Sequence, residues 1–367
     1  MTLMVEKVPS LYIASASEQS IGKTALCLGL ALKFREEGLK VGYFKPLGWE
    51  TAGRGKKPVD EDAALMRHAL DLEVPAGLLA PVLLEYQYLD QYPAERSAAL
   101  LEKVEKAYRK VSEGRELMIL EALHEPCLGI FMGLSASDLA KKFGSSLLLV
   151  STTYRDTVVD KILFRHTCLS RGGARCAGVV FNRVREPLDE RVKAAVVPTL
   201  QRHGVHVWGL IPEALPLTAP TVGELAETLG GRVLCGEENL SGLVEHYLVG
   251  AMTQDSAIRY FRRAPRKAVI TGGDRPDIAL AALETDTSAI ILTGDLYPNV
   301  RVLARAEEKG VPILLVPYDT FTTVERVRDV TGKIRVGDEK RINLAKELVS
   351  EHVDWRGLLS YLGLARG

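Results

Sequence analysis

Short apolar runs alternate with longer amphipathic stretches over residues 8 to 189. This alternation is typical of βαβ units, in which helices join parallel strands and cover the sheet. The apolar runs are rich in Leu and β-branched residues, and turn-forming or polar residues bound them. They predict strands at residues 11–14, 41–44, 117–120, 146–150, 177–181 and 207–210. The amphipathic stretches predict helices at 22–37, 61–70, 94–113, 136–142, 157–170 and 190–203.

The pattern changes after Pro220. A short helix at 221–229 and a strand at 232–235 are followed by an acidic stretch at 236–239. Three further apolar runs, at 268–270, 289–292 and 313–316, are separated by helical patterns at 276–284, 299–308 and 323–330. The sequence therefore predicts a second, smaller α/β domain, with the boundary placed between residues 236 and 254. The predicted domains are 1–236 and 237–367.

Composition and charge exclude several classes of protein. Of 367 residues, 47% are hydrophobic and 26% charged, which is sufficient for a packed core and argues against a mainly disordered chain. The 47 Lys and Arg residues balance 47 Asp and Glu residues, so no overall field attracts nucleic acid or an anionic membrane. The five cysteines show no C-x2-C spacing, which argues against a disulfide framework or a zinc ribbon. With no apolar run of membrane-spanning length, we expect a cytoplasmic protein.

The strongest chemical signal is the sequence SEQSIGKT at residues 17–24, which lies between a predicted strand and a predicted helix. Such a loop directs backbone N–H groups and the positive end of a helix dipole at one point, which suits a phosphate chain. Lys23 would reach the outer phosphates, and the Thr24 hydroxyl would bind Mg²⁺. The first glycine of the G-x-x-x-x-G-K-[ST] pattern is absent, because Ser17 or Ala16 stands there. The predicted nucleotide-binding residues in this segment are Ser20, Ile21, Gly22, Lys23, Thr24 and Ala25.

Charged residues at other strand ends converge on the same edge of the predicted sheet. Glu121 ends an apolar strand, where its carboxylate can bind Mg²⁺ directly or through water. The acids at 60–62 precede a helix, so they either cap it or, in the case of Asp62, bind the metal. Lys45 ends the second strand, where it either neutralises a transferred phosphoryl group or faces solvent. Lys23 and Lys45 are the predicted catalytic residues, and Thr24, Asp62 and Glu121 are the predicted metal ligands.

The second domain has a candidate site of its own. Gly272, Gly273, Asp274 and Arg275 lie between a strand and a helix that begins with proline. The glycines permit a backbone anion nest, and Arg275 can bind a carboxylate or phosphate with both arms of its guanidinium. Thr293, at the end of the neighbouring strand, would face the same crevice. The alternative is a structural turn closed by an internal Asp–Arg pair.

An ordered set of motifs resembles a known family. IASASEQSIGKTALCLGLAL, VGYFKPLG, DEDAALM, the strand ending in Glu121, and FNRV followed by GLIPE occur in the order seen in dethiobiotin synthetase-like P-loop proteins. The segments ITGGDRPDIALAAL, IILTGD and VPYDTFTTVERV resemble a DRTGG domain. Together they resemble the non-catalytic amino-terminal part of long phosphate acetyltransferases. The resemblance implies a P-loop NTPase-type sheet, mostly parallel and flanked by helices, followed by a smaller α/β domain.

The resemblance also implies roles for individual residues. It assigns Lys23 and Thr24 to phosphate and Mg²⁺, Asp62 and Glu121 to the metal, and Lys45 to the transferred phosphoryl group. Asn182 would read the adenine edge and Pro212 would pack near the base. A homo-oligomer is expected from the resemblance alone. Acetyl transfer is not expected, because the acetyltransferase domain would follow the DRTGG domain and the given sequence ends at residue 367.

The segment after Glu121 departs from the synthetase pattern. A glycine-rich loop is expected there, but the chain reads Ala-Leu-His-Glu-Pro at 122–126, so side chains occupy the space where backbone would approach a carboxylate. Glu125 would repel such a substrate, so dethiobiotin formation is not expected. His124 is either a general base, a switch or an ordinary loop residue.

Three functions stay open at this point. The first is a regulatory module that binds ATP or a related nucleotide with Mg²⁺, senses a small anionic metabolite in its second domain and signals to a partner enzyme. The second is an ATP-dependent ligase that phosphorylates a carboxylate or carbamate. The third keeps the fold without binding nucleotide, which the missing first glycine allows.

Overall fold

The computed structural model describes residues 8–16, 21–49, 59–85, 87–92, 97–153, 155–328, 330 and 332–365, without the side chains of Glu186 and Pro187. The chain forms two compact units. The first comprises Met1–Glu213 together with Ile334–Gly367, and the second comprises Ala214–Lys333. The second unit is therefore inserted in the chain of the first.

A six-stranded parallel sheet organises the first unit, in the order β2-β5-β1-β6-β7-β8. A separate pair, β3 and β4, is also parallel. Every residue of β1, β5 and β6 is buried, as expected for strands covered on both faces. The strands are β1 Ser10–Ser15, β2 Val41–Phe44, β3 Leu47–Trp49, β4 Val82–Leu84, β5 Leu117–Glu121, β6 Ser146–Ser151, β7 Arg175–Val184 and β8 Val207–Pro212.

Helices connect these strands. Helix α5 is amphipathic and buries Leu100, Val104 and Val111 on one face. A π-helical segment, Val192–Val196, joins α8 to α9. The helices are α1 Lys23–Glu36, α2 Glu61–Ala69, α3 Ala76–Leu79, α4 Tyr88–Gln91, α5 Ser97–Ser112, α6 Ala136–Phe143, α7 Thr157–Arg171, α8 Glu186–Arg191 and α9 Val197–Arg202.

The second unit has a five-stranded sheet in the order β10-β11-β12-β13-β9. Its strands are parallel except β9, which pairs antiparallel with β13. Two apolar clusters cover the sheet, and they include Val269 and Ile290 in one and Ala268 and Ile291 in the other. The elements are α10 Leu215–Thr218, α11 Val222–Leu229, β9 Arg232–Cys235, β10 His246–Val249, α12 Gln254–Phe261, β11 Lys267–Gly272, α13 Pro276–Leu283, β12 Thr287–Thr293, α14 Val300–Lys309, β13 Ile313–Leu315 and α15 Thr320–Arg328.

The chain then returns to the first unit through α16 Glu339–His352 and α17 Trp355–Tyr361. Helix α16 packs on α1, where Gly29 allows close approach. A Cβ at Gly29 would lie 2.5 Å from the Ala345 carbonyl oxygen and 2.5 Å from Val349 Cγ2. The α1–α16 interface therefore requires a residue without a side chain at this position.

This division differs from the predicted domains, 1–236 and 237–367. Residues 214–236 belong to the second unit because β9 forms hydrogen bonds with β13. Residues 334–367 belong to the first unit because α16 buries Ile342, Ala345 and Val349. Each predicted strand is found with small shifts at its ends. Elements that were not predicted are β3, β4, β10, α3, α4, α10, α12, α16 and α17.

Candidate functional site

The N-terminus of α1 lies at the carboxyl edge of the first sheet, directly after β1 and the segment 16–22. Gly22 is the N-cap with φ +83°, a left-handed conformation that glycine adopts without strain. The first turn reads Lys-Thr-Ala-Leu, so no acidic side chain occupies the positive end of the helix. The backbone N–H groups of Lys23, Thr24 and Ala25 are those that an α-helix leaves without intrahelical acceptors. This helix end is therefore suited to an anion.

Glu121 links this helix to the neighbouring strands. Its Oε1 accepts a 2.7 Å hydrogen bond from the Thr24 hydroxyl, and its Oε2 accepts a 2.7 Å bond from the Tyr43 hydroxyl. Glu121 and Tyr43 are both buried. The Lys23 ammonium lies beside them and donates to Ser15 Oγ at 3.0 Å. Sequence reasoning selected Lys23, Thr24 and Glu121 but missed Tyr43, whose apolar strand gave no reason to expect a polar role.

Lys45 forms a second charged group at the same edge. Its ammonium contacts Asp60 Oδ2 at 2.9 Å and also pairs with Asp62. Asp60 accepts hydrogen bonds from the Ala63 N–H at 3.0 Å and the Trp49 N–H at 3.1 Å. Asp60 caps α2, which is one of the two roles considered for these acids, whereas Asp62 pairs with Lys45 and its role as a metal ligand stays a prediction. Lys45 is buried and not a solvated strand-end lysine.

Burial and neighbouring charges perturb these groups in opposite directions. Burial lowers the pKa of Lys23, and the Glu121 charge partly opposes that effect. Burial also disfavours the charged form of Lys45, but Asp62 and Asp60 outweigh it and raise the pKa of Lys45. The pKa of Glu121 is raised by burial and by Asp62, against the opposing effect of the lysines. Clustered groups with perturbed pKa values are typical of functional sites.

The donor atoms fit a magnesium ion. Thr24 offers a hydroxyl oxygen, and Asp62 and Glu121 offer carboxylate oxygens. Asp62 lies close enough to Glu121 for its charge to raise the pKa of Glu121. Among the described residues, the cluster contains three carboxylates, those of Asp60, Asp62 and Glu121, and two ammonium groups, those of Lys23 and Lys45. In the described part of the chain, no three His, Cys, Asp or Glu residues group into a metal cage. Mg²⁺ is commonly bound by one or two carboxylates plus nucleotide phosphates, which requires no such cage.

Asn182 and Pro212 lie at the same edge, at the ends of β7 and β8. The Asn182 amide donates a 2.8 Å hydrogen bond to the Ile21 carbonyl, and it touches the position that a Cβ on Gly22 would occupy. Arg183 has φ +56°, and the β7–β8 register shifts between Phe181 and Val184. This irregularity directs Asn182 toward the α1 N-terminus. In this structure Asn182 contacts Ile21 and Gly22, and its role in reading adenine stays a prediction.

The segment after β5 contributes side chains beside the acidic cluster. Ala122 and Leu123 are buried, and the His124 ring stacks on Trp49 with 5.8 Å between centroids. Glu125 lies 3.4 Å from the Arg165 guanidinium. That contact reduces the repulsion that Glu125 was expected to exert on a carboxylate substrate.

The candidate site of the second unit is organised by an internal ion pair. Arg275 forms a two-armed pair with Asp277, at 3.0 and 2.9 Å, and donates to the Met252 carbonyl at 2.9 Å. The structural alternative is thus the one observed, with Asp277 and not Asp274 as the partner. Gly273 is needed because the Leu296 carbonyl occupies the position of its missing Cβ. Close packing of two loops explains this glycine without an anion nest.

Of the remaining predicted residues, Thr293 and Gly272 are described by the structure and Ser20 is not. Thr293 Oγ1 lies 2.9 Å from Thr320 Oγ1, so it links two loops at the carboxyl edge of the second sheet. Gly272 is packed against the side chain of Asp274. Ser20, together with Ser17, lies outside the described residues.

Comparisons with known proteins agree with the motif-based resemblance. An AAA domain model matches residues 10–221, and a DRTGG domain model matches residues 224–330. The chain is 25% identical over 375 residues to a phosphate acetyltransferase of Pseudomonas putida, covering 97% of this chain and 52% of that protein. It is 26% identical over 373 residues to one of Nitratidesulfovibrio vulgaris, covering 94% and 50%. The chain spans about half the length of these curated relatives.

Solved structures show weaker likenesses. The CBS and DRTGG domains of the regulatory region of Clostridium perfringens pyrophosphatase, solved with the activator diadenosine tetraphosphate, are 21% identical with a TM-score of 0.27. That match covers 32% of this chain and 49% of the other. The MinD cell division protein of Aquifex aeolicus is 16% identical with a TM-score of 0.34, covering 56% and 82%. Neither likeness bears on the chemistry of this chain.

Among the described residues, no helix has the length and apolar character needed to span a bilayer.

Proposed function

We propose, from the premise that the chain belongs to the AAA domain family, that its first unit binds ATP or a related nucleotide with Mg²⁺ as a regulatory module. The family model spans residues 10–221, which include every charged residue of the cluster at the sheet edge. The curated relatives are phosphate acetyltransferases. In this proposal the chain corresponds to the amino-terminal part of such proteins and signals to a partner enzyme.

One observation carries the proposal: Lys23, Thr24 and Glu121 meet at the N-terminus of α1, with Lys45 and Asp62 beside them. The exposed N–H groups of the helix and the Lys23 ammonium would bind the phosphates. Thr24, Glu121 and Asp62 would hold Mg²⁺, which shields phosphate charge. Among the described residues of the cluster the carboxylates outnumber the lysines, so the cluster favours a bound cation over an uncompensated anion.

An ATP-dependent ligase is the second candidate, and two observations favour it. Lys45 lies buried at the edge where a transferred phosphoryl group would pass, and its pKa is raised by Asp62 and Asp60 against the opposing effect of burial, so it stays charged. Glu125 is paired with Arg165, which lowers its repulsion toward an acidic substrate. Against this candidate, the buried side chains of Ala122 and Leu123 fill the space where the synthetase pattern has glycines.

The second unit contributes an effector site only if a ligand replaces the internal ion pair between Arg275 and Asp277. A small anionic metabolite would have to replace Asp277 at the Arg275 guanidinium. That pair is half-exposed, so exchange with a ligand carboxylate or phosphate involves little desolvation. This site stays a prediction.

Parallel assays of bound ATP and released phosphate distinguish the two main candidates. Purified protein is incubated with Mg²⁺ and ATP, alone and with a panel of carboxylates and amines, and phosphate release is followed at a protein concentration above the binding constant. The regulatory module predicts binding without turnover under every condition. Phosphate release that requires one of the added carboxylates would reject it in favour of the ligase.

A further inference from the structure

A buried hydroxyl near the proposed nucleotide site has no hydrogen-bond partner. Thr153 follows β6 and is 5% exposed, and its Oγ1 forms no hydrogen bond within the described chain. A buried hydroxyl without a partner loses its hydrogen bonds to water on folding and forms none within the protein, which lowers the stability of the fold. Such groups are uncommon in native structures and call for an explanation, such as an acceptor that arrives with a ligand.

The sheet order places this hydroxyl at the point where α/β proteins bind ligands. Strands β5 and β2 lie on one side of β1, and β6, β7 and β8 lie on the other. The order reverses beside β1, and ligands of open parallel sheets bind at the carboxyl ends of the strands at such a reversal. β6 is the neighbour of β1 on the side opposite β5, so the residues that follow β6 line this crevice.

Local contacts bring Thr153 close to the α1 N-terminus. The Ala16 N–H donates a 2.8 Å bond to the Val150 carbonyl, which joins the start of the loop after β1 to the end of β6. On the other side, Ser151 is paired in register with Phe181, and the next residue of β7 is Asn182. Thr153 therefore follows a strand whose end lies between Ala16, after β1, and Asn182, which binds the Ile21 carbonyl.

We propose that Thr153 contacts the bound nucleotide, its hydroxyl donating a hydrogen bond to a phosphate or ribose oxygen. The inference rests on the proposed nucleotide-binding function and adds a contact from a strand that the sequence motifs do not include. The hydroxyl lacks an acceptor within the described chain and is covered in the free protein, so the residues that cover it must move when a nucleotide oxygen accepts its hydrogen bond. A residue with this role contributes to ligand affinity and nothing to the stability of the free chain.

Two substitutions at this position separate the ligand role from a structural one. Thr153→Val keeps the shape and removes the hydroxyl, whereas Thr153→Ser keeps the hydroxyl. Thr199→Val is the matched control, since Thr199 lies half-buried on α9 and its hydroxyl is already bonded to the Ala195 carbonyl. ATP and inorganic tripolyphosphate are titrated calorimetrically with Mg²⁺, and the Tm of each free protein is measured.

The account predicts that Thr153→Val binds ATP about tenfold more weakly than wild type, the effect of one hydrogen bond to a charged acceptor. Thr153→Ser restores binding, Thr199→Val binds normally, and the Tm of free Thr153→Val equals or exceeds that of wild type. If Thr153→Val loses as much affinity for tripolyphosphate as for ATP, the hydroxyl contacts a phosphate. If it loses affinity for ATP alone, the hydroxyl contacts the ribose.

Other results would overturn the assignment. Normal ATP affinity in Thr153→Val, next to normal binding by wild type, rejects the Thr153 contact and leaves the proposed function standing. A free Thr153→Val protein with a clearly lowered Tm shows that the hydroxyl is structural. If wild type itself binds neither ATP nor tripolyphosphate, the proposed function fails, and the Thr153 contact fails with it.

Discussion

At the scale of single residues, the site depends on how Glu121 is oriented. Two hydroxyls, from Thr24 and Tyr43, each bind one oxygen of its carboxylate at 2.7 Å. Thr24 would exchange its bond for a metal ion, but Tyr43 is buried in the second strand and keeps Glu121 in place. Tyr43 is therefore a positioning residue for the proposed Mg²⁺ site, acting through Glu121.

We predict that Tyr43→Phe raises the Mg²⁺ concentration needed for half-maximal ATP binding by about 10-fold, a usual effect of removing an outer-shell partner. ATP binding is titrated at a series of Mg²⁺ concentrations. Tyr247→Phe, in the second unit, is the control because it makes the same chemical change at a hydroxyl without a partner in the described chain. An unchanged Mg²⁺ requirement in Tyr43→Phe would show that Glu121 needs no support from this hydroxyl.

Much of the charged site was predictable from sequence, and the reason is local. Lys23, Thr24, Lys45 and Glu121 each lie at the carboxyl end of a predicted parallel strand or in the helix that follows, and such ends share one edge. Side-chain partners were not predictable, because they depend on register and burial. Neither the Tyr43 hydroxyl nor the unpartnered Thr153 hydroxyl has a signature in the sequence pattern.

At the scale of elements, the helix that presents the site is itself packed against a distant part of the chain. α16 lies on α1, and Gly29 provides the close approach. The sequence of α16 has helical periodicity, with Ile342, Ala345 and Val349 on its buried face. This periodicity is a helical signal that the sequence analysis did not use, so α16 was missed. Its partner was not predictable, because α1 lies more than 300 residues away in the chain.

We predict that Gly29→Ala lowers the free energy of unfolding by about 1–3 kcal/mol, because its Cβ would overlap the Ala345 carbonyl and Val349. Urea denaturation measures the change. Gly77→Ala is the matched control, since nothing lies within 4 Å of the position of its Cβ. The control is expected to be neutral or slightly stabilising. Equal stability of the two variants would show that α1 and α16 adapt to a larger residue.

At the scale of the whole molecule, the fold class followed from composition and pattern, but the division into units did not. An inserted unit leaves no break in hydrophobic periodicity, so residues 334–367 read as part of the second domain. The pairing of β9 with β13 and the packing of α16 on α1 and β8 assign these segments to their units. Each unit nevertheless has its own sheet, and the second has its own apolar clusters.

A buried lysine makes the stability of the second unit depend on pH. Lys267 is fully buried at the start of β11 and donates to the Asp286 carbonyl at 2.7 Å. Burial lowers the pKa of Lys267 from 10.5 to about 8. Between these values the unfolded chain binds more protons at Lys267 than the folded chain, so unfolding becomes less favourable as the pH rises.

We predict that the free energy of unfolding gains a contribution from Lys267 as the pH rises from about 8 to about 10.5. Lys267→Met removes the titrating group and keeps an apolar chain of similar length. The difference in unfolding free energy between wild type and Lys267→Met is measured at several pH values by urea denaturation. This difference should shift in favour of wild type with increasing pH, and a difference independent of pH would refute the assignment.

The central claim is that the α1 N-terminus binds a nucleotide, and calorimetric titration of Mg²⁺-ATP into wild type, Lys23→Ala and Lys40→Ala tests it most directly. Lys23 is buried beside Glu121 and has its pKa lowered by burial, so its removal is expected to leave the protein folded. Lys40 is an exposed lysine at the start of the second strand and serves as the control. The account predicts binding by wild type and Lys40→Ala, and affinity reduced about 30-fold or more in folded Lys23→Ala. Equal affinity in all three proteins would contradict it.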